Sequence, residues 1–240
     1  MNPATSVARQ GPRSYQEDRH HVTYIPDRKW QLLAVMDGHG GSEVSDFCEK
    51  NIFRMMSLEN GNPAHSLSKL VFNLNSATYR YRAGSTFSAV IISDELDLVS
   101  VAILGDSPVV VLDAQGELHV SPEHNVRTNL NERIAAQERG GIYEGGYIYF
   151  GEGGLQMSRA LGDMYLAKVL SREPEVYTIK NPVWVLVASD GLFDPGHKNT
   201  GNLMKEIEKF AKDGADAETL MDWAEKRGLE DNATAVVWCK

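Results

Sequence analysis

Apolar positions recur along the chain with two periods, and the changes of period mark its elements. Residues 19–25 and 30–36 are rich in β-branched, aromatic and aliphatic side chains and are separated by Pro26 and Asp27, which predicts two strands joined by a turn. Beyond Ser42 the period lengthens: Val44, Phe47, Cys48, Ile52, Met55 and Met56 follow at three- and four-residue steps, one apolar face of a helix. A second helix is expected over 64–82, with Leu67, Leu70, Val71, Leu74 and Tyr81 turned inward. Val and Ile then dominate 85–93, 96–104 and 107–112, with Asp94-Glu95 as the first turn, a pattern that predicts an antiparallel meander. Residues 127–139 suit a short helix, and the seven glycines between Gly140 and Gly154 predict a mobile loop or hairpin. Strands at 175–180 and 183–189, two helices within 200–227 and a last strand at 233–238 complete the pattern. Strand runs and helix runs are segregated, which favours an α+β arrangement of helices on antiparallel sheets over a doubly wound βαβ fold. With no repeat, low-complexity tract or long linker, one compact domain over residues 1–240 is expected.

Composition narrows the function. Among 240 residues, 24 Lys and Arg face 33 Asp and Glu, a formal charge of −9, which argues against the basic footprint of a nucleic-acid binder. Runs such as Val183 to Ala188 fall far short of the roughly 20 apolar residues of a membrane span, so no membrane association is expected. Glu17, Asp18, His20 and His21 fall in the first 25 residues, where a secretory peptide would carry an apolar core. Only Cys48 and Cys239 occur, too few for a disulfide framework, and a cytoplasmic location is expected.

The candidate chemistry lies where the acids fall. Asp37 follows the apolar run Leu32 to Met36, Asp106 follows Val101 to Gly105, and Asp190 follows Val185 to Ser189. Asp231 stands just before the strand that begins at Ala233, and Glu17-Asp18 just before the strand that begins near Arg19. If these strand ends share one edge, five or six carboxylates converge. Such a cluster repels itself and raises its own pKa values unless cations neutralise it. The candidate ligands are all oxygens, which favours Mg²⁺ or Mn²⁺ over Zn²⁺. Any one Asp after a strand is equally well explained as ordinary turn chemistry; the repetition gives the pattern its weight. Within Asp37-Gly38-His39-Gly40-Gly41, Gly38 lets its carbonyl approach a cation, the paired glycines permit a tight turn, and His39 is placed to donate a proton. Arg13, four residues before Glu17, offers a planar guanidinium to phosphate oxygens.

Taken in order, Arg13 to Asp18, Val35 to Gly41, Gly84-Ser85-Thr86, Gly105-Asp106-Ser107, Ser158-Arg159-Ala160-Leu161-Gly162-Asp163, Ser189 to Asp194 and Asp231-Asn232 resemble the metal-dependent serine/threonine protein phosphatases of the type 2C, or PPM, family. The resemblance implies an αββα four-layer sandwich, two central antiparallel sheets flanked by helices, with a two-metal site at one end. It implies that Asp37 bridges two metals, that Asp190 and Asp231 complete one, that the Gly38 carbonyl serves the other, and that Glu17 and Asp18 hold metal-bound waters. Asp106 with Asp190 matches a third, weaker metal position, and the glycine-rich 140–154 stretch matches a variable flap that influences substrate choice. The implied activity is hydrolysis of phosphoserine and phosphothreonine in phosphoprotein substrates, in a signalling role, by a hydroxide bridging two Mn²⁺ or Mg²⁺ ions. His39 would protonate the leaving oxygen and Arg13 would clamp the phosphoryl group. A monomer is expected.

The chain departs from the family pattern in three places: Pro108 stands where many members have Arg, Phe193 replaces a common Trp, and the chain ends directly after its last strand, so no C-terminal regulatory extension is expected. Three other readings compete. A serine esterase needs a Gly-x-Ser-x-Gly elbow, which is missing. A thiol phosphatase is suggested by Cys48 and Arg54, but the residues between them lack glycine and continue a helical face. The non-enzyme alternative is a catalytically silent phosphoprotein-binding scaffold, whose mark would be lost metal aspartates; here they are all present.

Overall fold

The computed structural model describes residues 2–58, 61–193 and 199–240. Two five-stranded antiparallel sheets dominate it. In the first, Trp30–Met36 lies between Arg19–Ile25 and Phe87–Ser93, and Leu98–Leu104 and Glu175–Lys180 extend the other side. In the second, Pro182–Ala188 lies between Ala233–Cys239 and Val109–Asp113, with Thr5–Arg9 and Leu118–Val120 at the edges.

The side-chain alternation of a strand explains why the central strands read as unbroken apolar runs. All seven residues of Trp30–Met36 are buried. Leu32, Ala34 and Met36 pack on helices α1 (Glu43–Met55) and α2 (Pro63–Thr78), whereas Leu33 and Val35 turn the other way and meet Val185, Val187 and Val236 of the second sheet. The second sheet divides likewise: Leu186 and Ala188 face α4 (Thr200–Lys212) and α5 (Ala217–Arg227), and Val185 and Val187 face the first sheet. A strand covered on both faces has no solvent side to mark with polar residues. Truncating one such side chain, as in Leu33→Ala, removes burial that is typically worth about 2–5 kcal/mol.

Three sequence expectations are corrected. The strand expected at 107–112 is present at Val109–Asp113 but leaves the meander: Phe87–Ser93 pairs with Leu98–Leu104, and the chain then crosses at Gly105, φ +120°, to pair with Pro182–Ala188 in the other sheet. The second helix stops at Thr78 rather than 82, because the Tyr81 amide turns back to the Thr78 carbonyl and the Tyr81 carbonyl accepts from Met164 N. The glycine-rich stretch is neither loop nor single hairpin but a three-stranded antiparallel sheet of Ile142–Glu144, Tyr147–Phe150 and Gly153–Leu155. It is anchored through Ile148, which packs on Val126 and on Ala136 of helix α3 (Leu130–Glu138). No helix among the described residues is long and apolar enough to cross a membrane.

Candidate active site

The acids at the strand ends meet because the strands that carry them run in register. Arg19 pairs with Met36, so Asp18 and Asp37 leave neighbouring strands side by side; Ala188 pairs with Ala235, which brings Asp190 towards Asp231. An open cleft of about 490 Å³ results, and Glu17, Asp37, Gly38, Asp106, Asp190 and Asp231 line it together with Arg13 and His39. Asp18 is the one expected ligand that does not line the cleft; it is buried behind the floor.

Hydrogen bonds hold each group. Thr86 Oγ1 accepts from Asp37 N at 3.0 Å and Thr86 N donates to the Asp37 carbonyl at 2.9 Å, while the Thr86 and Ser107 hydroxyls bond at 2.7 Å. Asn232 braces the opposite wall: its Oδ1 accepts from Glu17 N at 2.8 Å and its Nδ2 donates to the Gln10 carbonyl at 2.7 Å. Asn125 Nδ2 donates to Asp106 Oδ2 at 2.8 Å. Glu17 Oε1 accepts from Gly41 N at 2.6 Å. A Cβ on Gly38 would press on the Glu17 carbonyl oxygen at 2.6 Å, so glycine is what lets the two acidic segments close together. Arg13 reaches over the rim and pairs through Nη2 with Asp231 Oδ2.

The electrostatics are those of an uncompensated acid cluster. Asp37 keeps some exposure to the cleft but is otherwise surrounded by protein, and this desolvation, followed by the charges of Asp18, Asp190, Asp106 and Asp231, pushes its pKa well above the usual carboxylate range. Burial raises Asp18 from 3.8 to about 6, although Ser189 Oγ and Thr234 Oγ1 donate to its Oδ2 at 2.7 and 2.8 Å. Its Oδ1 is buried without a hydrogen-bond partner among the described residues. A divalent cation answers both features: it offsets the repulsion and needs the oxygen ligands that are gathered here, so these residues fit the metal the resemblance implies. Elsewhere Asp113, Glu117 and His119 bring ligand atoms within 4.8 Å of one another. There the Asp113 carboxylate already accepts from the amides of Gln115 and Glu117 and pairs with His119 Nε2, closing a turn.

Cys48 is fully buried on α1, and burial pushes its thiol up to about 12, while Arg54 donates to Asn51 Oδ1 at 2.7 Å. A thiolate nucleophile there is excluded by its surroundings. Residues that the sequence reading left without a role complete the cleft. Tyr147, which opens the middle strand of the glycine-rich sheet, lines the cleft with Arg127, Gln156 and Met157, and Gln156 Nε2 donates to the Tyr147 hydroxyl at 3.0 Å. Their positions follow from packing, and no spacing in the sequence announces them.

Comparison with known proteins agrees with this geometry. The protein phosphatase 2C family pattern matches residues 4–233. "Probable protein phosphatase 2C 71" of Arabidopsis thaliana is 30% identical over 245 residues, covering 95% of this chain and 53% of that protein. The chain thus spans about half the length of the plant relatives it matches first. Among solved structures, a serine-threonine phosphatase 2C from Toxoplasma gondii superposes with a TM-score of 0.76 at 19% identity, covering 98% of this chain and 93% of the other. The catalytic domain of the serine threonine protein phosphatase PstP, solved in complex with two manganese ions, superposes with a TM-score of 0.64 at 22% identity, covering 98% and 96%. With nearly its whole length matched to one family and an acid-lined cleft at the sheet ends, the chain belongs to the protein phosphatase 2C family.

Proposed function

We propose that the chain is a protein serine/threonine phosphatase that hydrolyses phosphoserine and phosphothreonine at a centre of two divalent cations, Mn²⁺ or Mg²⁺. The observation that carries this reading is the convergence on one cleft of carboxylates from separate segments, with Arg13 and His39 beside them. The two manganese ions of the PstP complex support it by likeness of fold. Asp37, the Gly38 carbonyl, Asp190 and Asp231 would hold the cations, with Glu17 and Asp18 bonding to their waters and Asp106 contributing with Asp190 to a third position. Bound there, the cations would supply Lewis-acid stabilisation of the phosphoryl oxygens and make water acidic enough to serve as nucleophile near neutral pH.

The chain's own residues do the rest. Arg13, half exposed at the rim, is placed to exchange its pairing with Asp231 for a bidentate grip on phosphoryl oxygens. His39 holds the proton that the departing serine or threonine oxygen requires, a contribution of about 10²–10⁴ in rate. Cys48, buried in α1, takes no part. The fold is a single domain in the αββα four-layer arrangement, a reading supported by three large apolar clusters, one between the sheets and one under each helix pair. A silent scaffold is disfavoured because every expected acid is present around the cleft.

The test is metal dependence on a phosphoserine peptide. Excess EDTA should abolish phosphate release, and Mn²⁺ or Mg²⁺ should restore it. Undiminished turnover after thorough chelation would overturn the proposal, as would a metal-loaded protein that binds the peptide without hydrolysing it.

A further inference from the structure

Away from the acid cluster, the short sheet beside the cleft makes a second arrangement. Gly38–His39, Gly84–Ser85 and Leu161–Gly162 form three two-residue strands, with Gly84–Ser85 in the middle. Gly84 stands opposite His39 on one side and Gly162 on the other, and Asp163 follows Gly162. Across Gly84, His39 Nε2 and Asp163 Oδ2 meet at 2.8 Å. A Cβ on residue 84 would collide with both of these atoms, so the contact exists because the central strand carries a glycine at that point. Asp163 is fully buried and sits in the left-handed region at φ +48°, with its amide donating to the Ala83 carbonyl at 3.0 Å. Arg172 clamps the same strand by donating to the carbonyls of Ala160 and Gly162. His39 Nδ1 and Asp163 Oδ1 are both buried without a hydrogen-bond partner among the described residues.

A fully buried aspartate held in left-handed backbone is a costly arrangement, and packing alone would be served better by an apolar residue. A carboxylate bound to one imidazole nitrogen fixes both the ring orientation and the tautomer. We infer that Asp163 is the positioning residue for His39: it binds Nε2–H across Gly84 and so fixes the orientation and tautomer of the ring beside the cleft. This deepens the proposed function and rests on His39 being the proton donor.

The experiment uses the full chain loaded with Mn²⁺ and compares Asp163→Asn, His39→Ala and the double variant on a phosphoserine peptide and on p-nitrophenyl phosphate. Asn tolerates the left-handed backbone and keeps the side-chain shape. Asp163→Asn should lower kcat on the peptide by about 10- to 100-fold, no more than the about 10²–10⁴ that losing the donor itself costs. The loss on p-nitrophenyl phosphate, whose phenolate departs with little help, should be much smaller, and calorimetric Mn²⁺ affinity should stay at the wild-type value. Adding Asp163→Asn to His39→Ala should cost less than a further twofold. A second readout is independent of activity: ¹⁵N NMR of the His39 ring in the metal-free protein should show a single Nε2–H tautomer that becomes mixed in Asp163→Asn. Equal losses on both substrates with weakened Mn²⁺ binding, full additivity in the double variant, or a wild-type ring without the Nε2–H tautomer would each overturn the inference. If His39→Ala itself shows no difference between the substrates while the tautomer is as expected, the donor reading fails and the His39–Asp163 pairing stands as structural only.

Discussion

Replacing Asp18 by asparagine should make the metal-free protein more stable, although it removes a carboxylate buried behind the cleft. Asp18 is 2% exposed, and burial raises its pKa from 3.8 to about 6. A carboxyl that binds its proton more tightly folded than unfolded leaves the native state holding more protons between about pH 4 and 6, so stability falls as pH rises through that window. The shift of roughly two pKa units is worth about 3 kcal/mol at pH 7.5, where the native protein keeps the charge buried, and about 1 kcal/mol at pH 4.5. Asp18→Asn removes this penalty. Its amide oxygen can still accept from the hydroxyls of Ser189 and Thr234. The assay is urea unfolding in EDTA at both pH values. The variant should gain up to about 3 kcal/mol at pH 7.5 and about 1 at pH 4.5, and for a chain of this length the larger gain corresponds to about 6–12 °C in Tm. In saturating Mn²⁺ the difference should shrink, because a cation that binds only the folded state adds about 2.7 kcal/mol at 100 times Kd and the variant site binds it less tightly. A variant less stable than wild type in EDTA at pH 7.5, or a gain that does not depend on pH, would refute the electrostatic reasoning.

Two further outcomes follow from the site. Cys48→Ser should leave kcat on a phosphoserine peptide within twofold of wild type, since the thiol is buried on α1 far from ionisation at neutral pH; a loss of about 10³ or more would revive a thiol mechanism. Asp231→Ala should nearly eliminate turnover and weaken Mn²⁺ binding by at least the ~10–100-fold that loss of a group merely supporting a ligand costs, with calorimetry and peptide dephosphorylation as the measurements; wild-type turnover would move the site elsewhere.

The sequence by itself determined most of the elements and most of the residues around the cleft. Apolar runs such as Leu32 to Met36 and Val183 to Ala188 read as buried strands through their shortness and apolar, often β-branched content, and the three-and-four spacing from Val44 to Met55 reads as a helix face through its period. An Asp at the end of each of three strands was enough to suggest a shared edge. What remained undecided was pairing, which depends on contacts between distant segments rather than on local period. Nothing in Val109–Asp113 marks it for the second sheet; the choice is made by Val185 and Val187, which pack with Val109 and Val111 between the sheets. The glycine-rich stretch reads locally as a loop, yet cross-strand pairing and the burial of Ile148 on Val126 and Ala136 make it a sheet. Thr5–Arg9 has too few apolar residues to stand out and becomes a strand only because Ala233–Cys239 offers it an edge. Asp163 is the clearest case. Its position after Gly162 is visible in the sequence, but its bond to His39, 124 residues away, exists only because two strands meet across Gly84, where a missing Cβ leaves room for them.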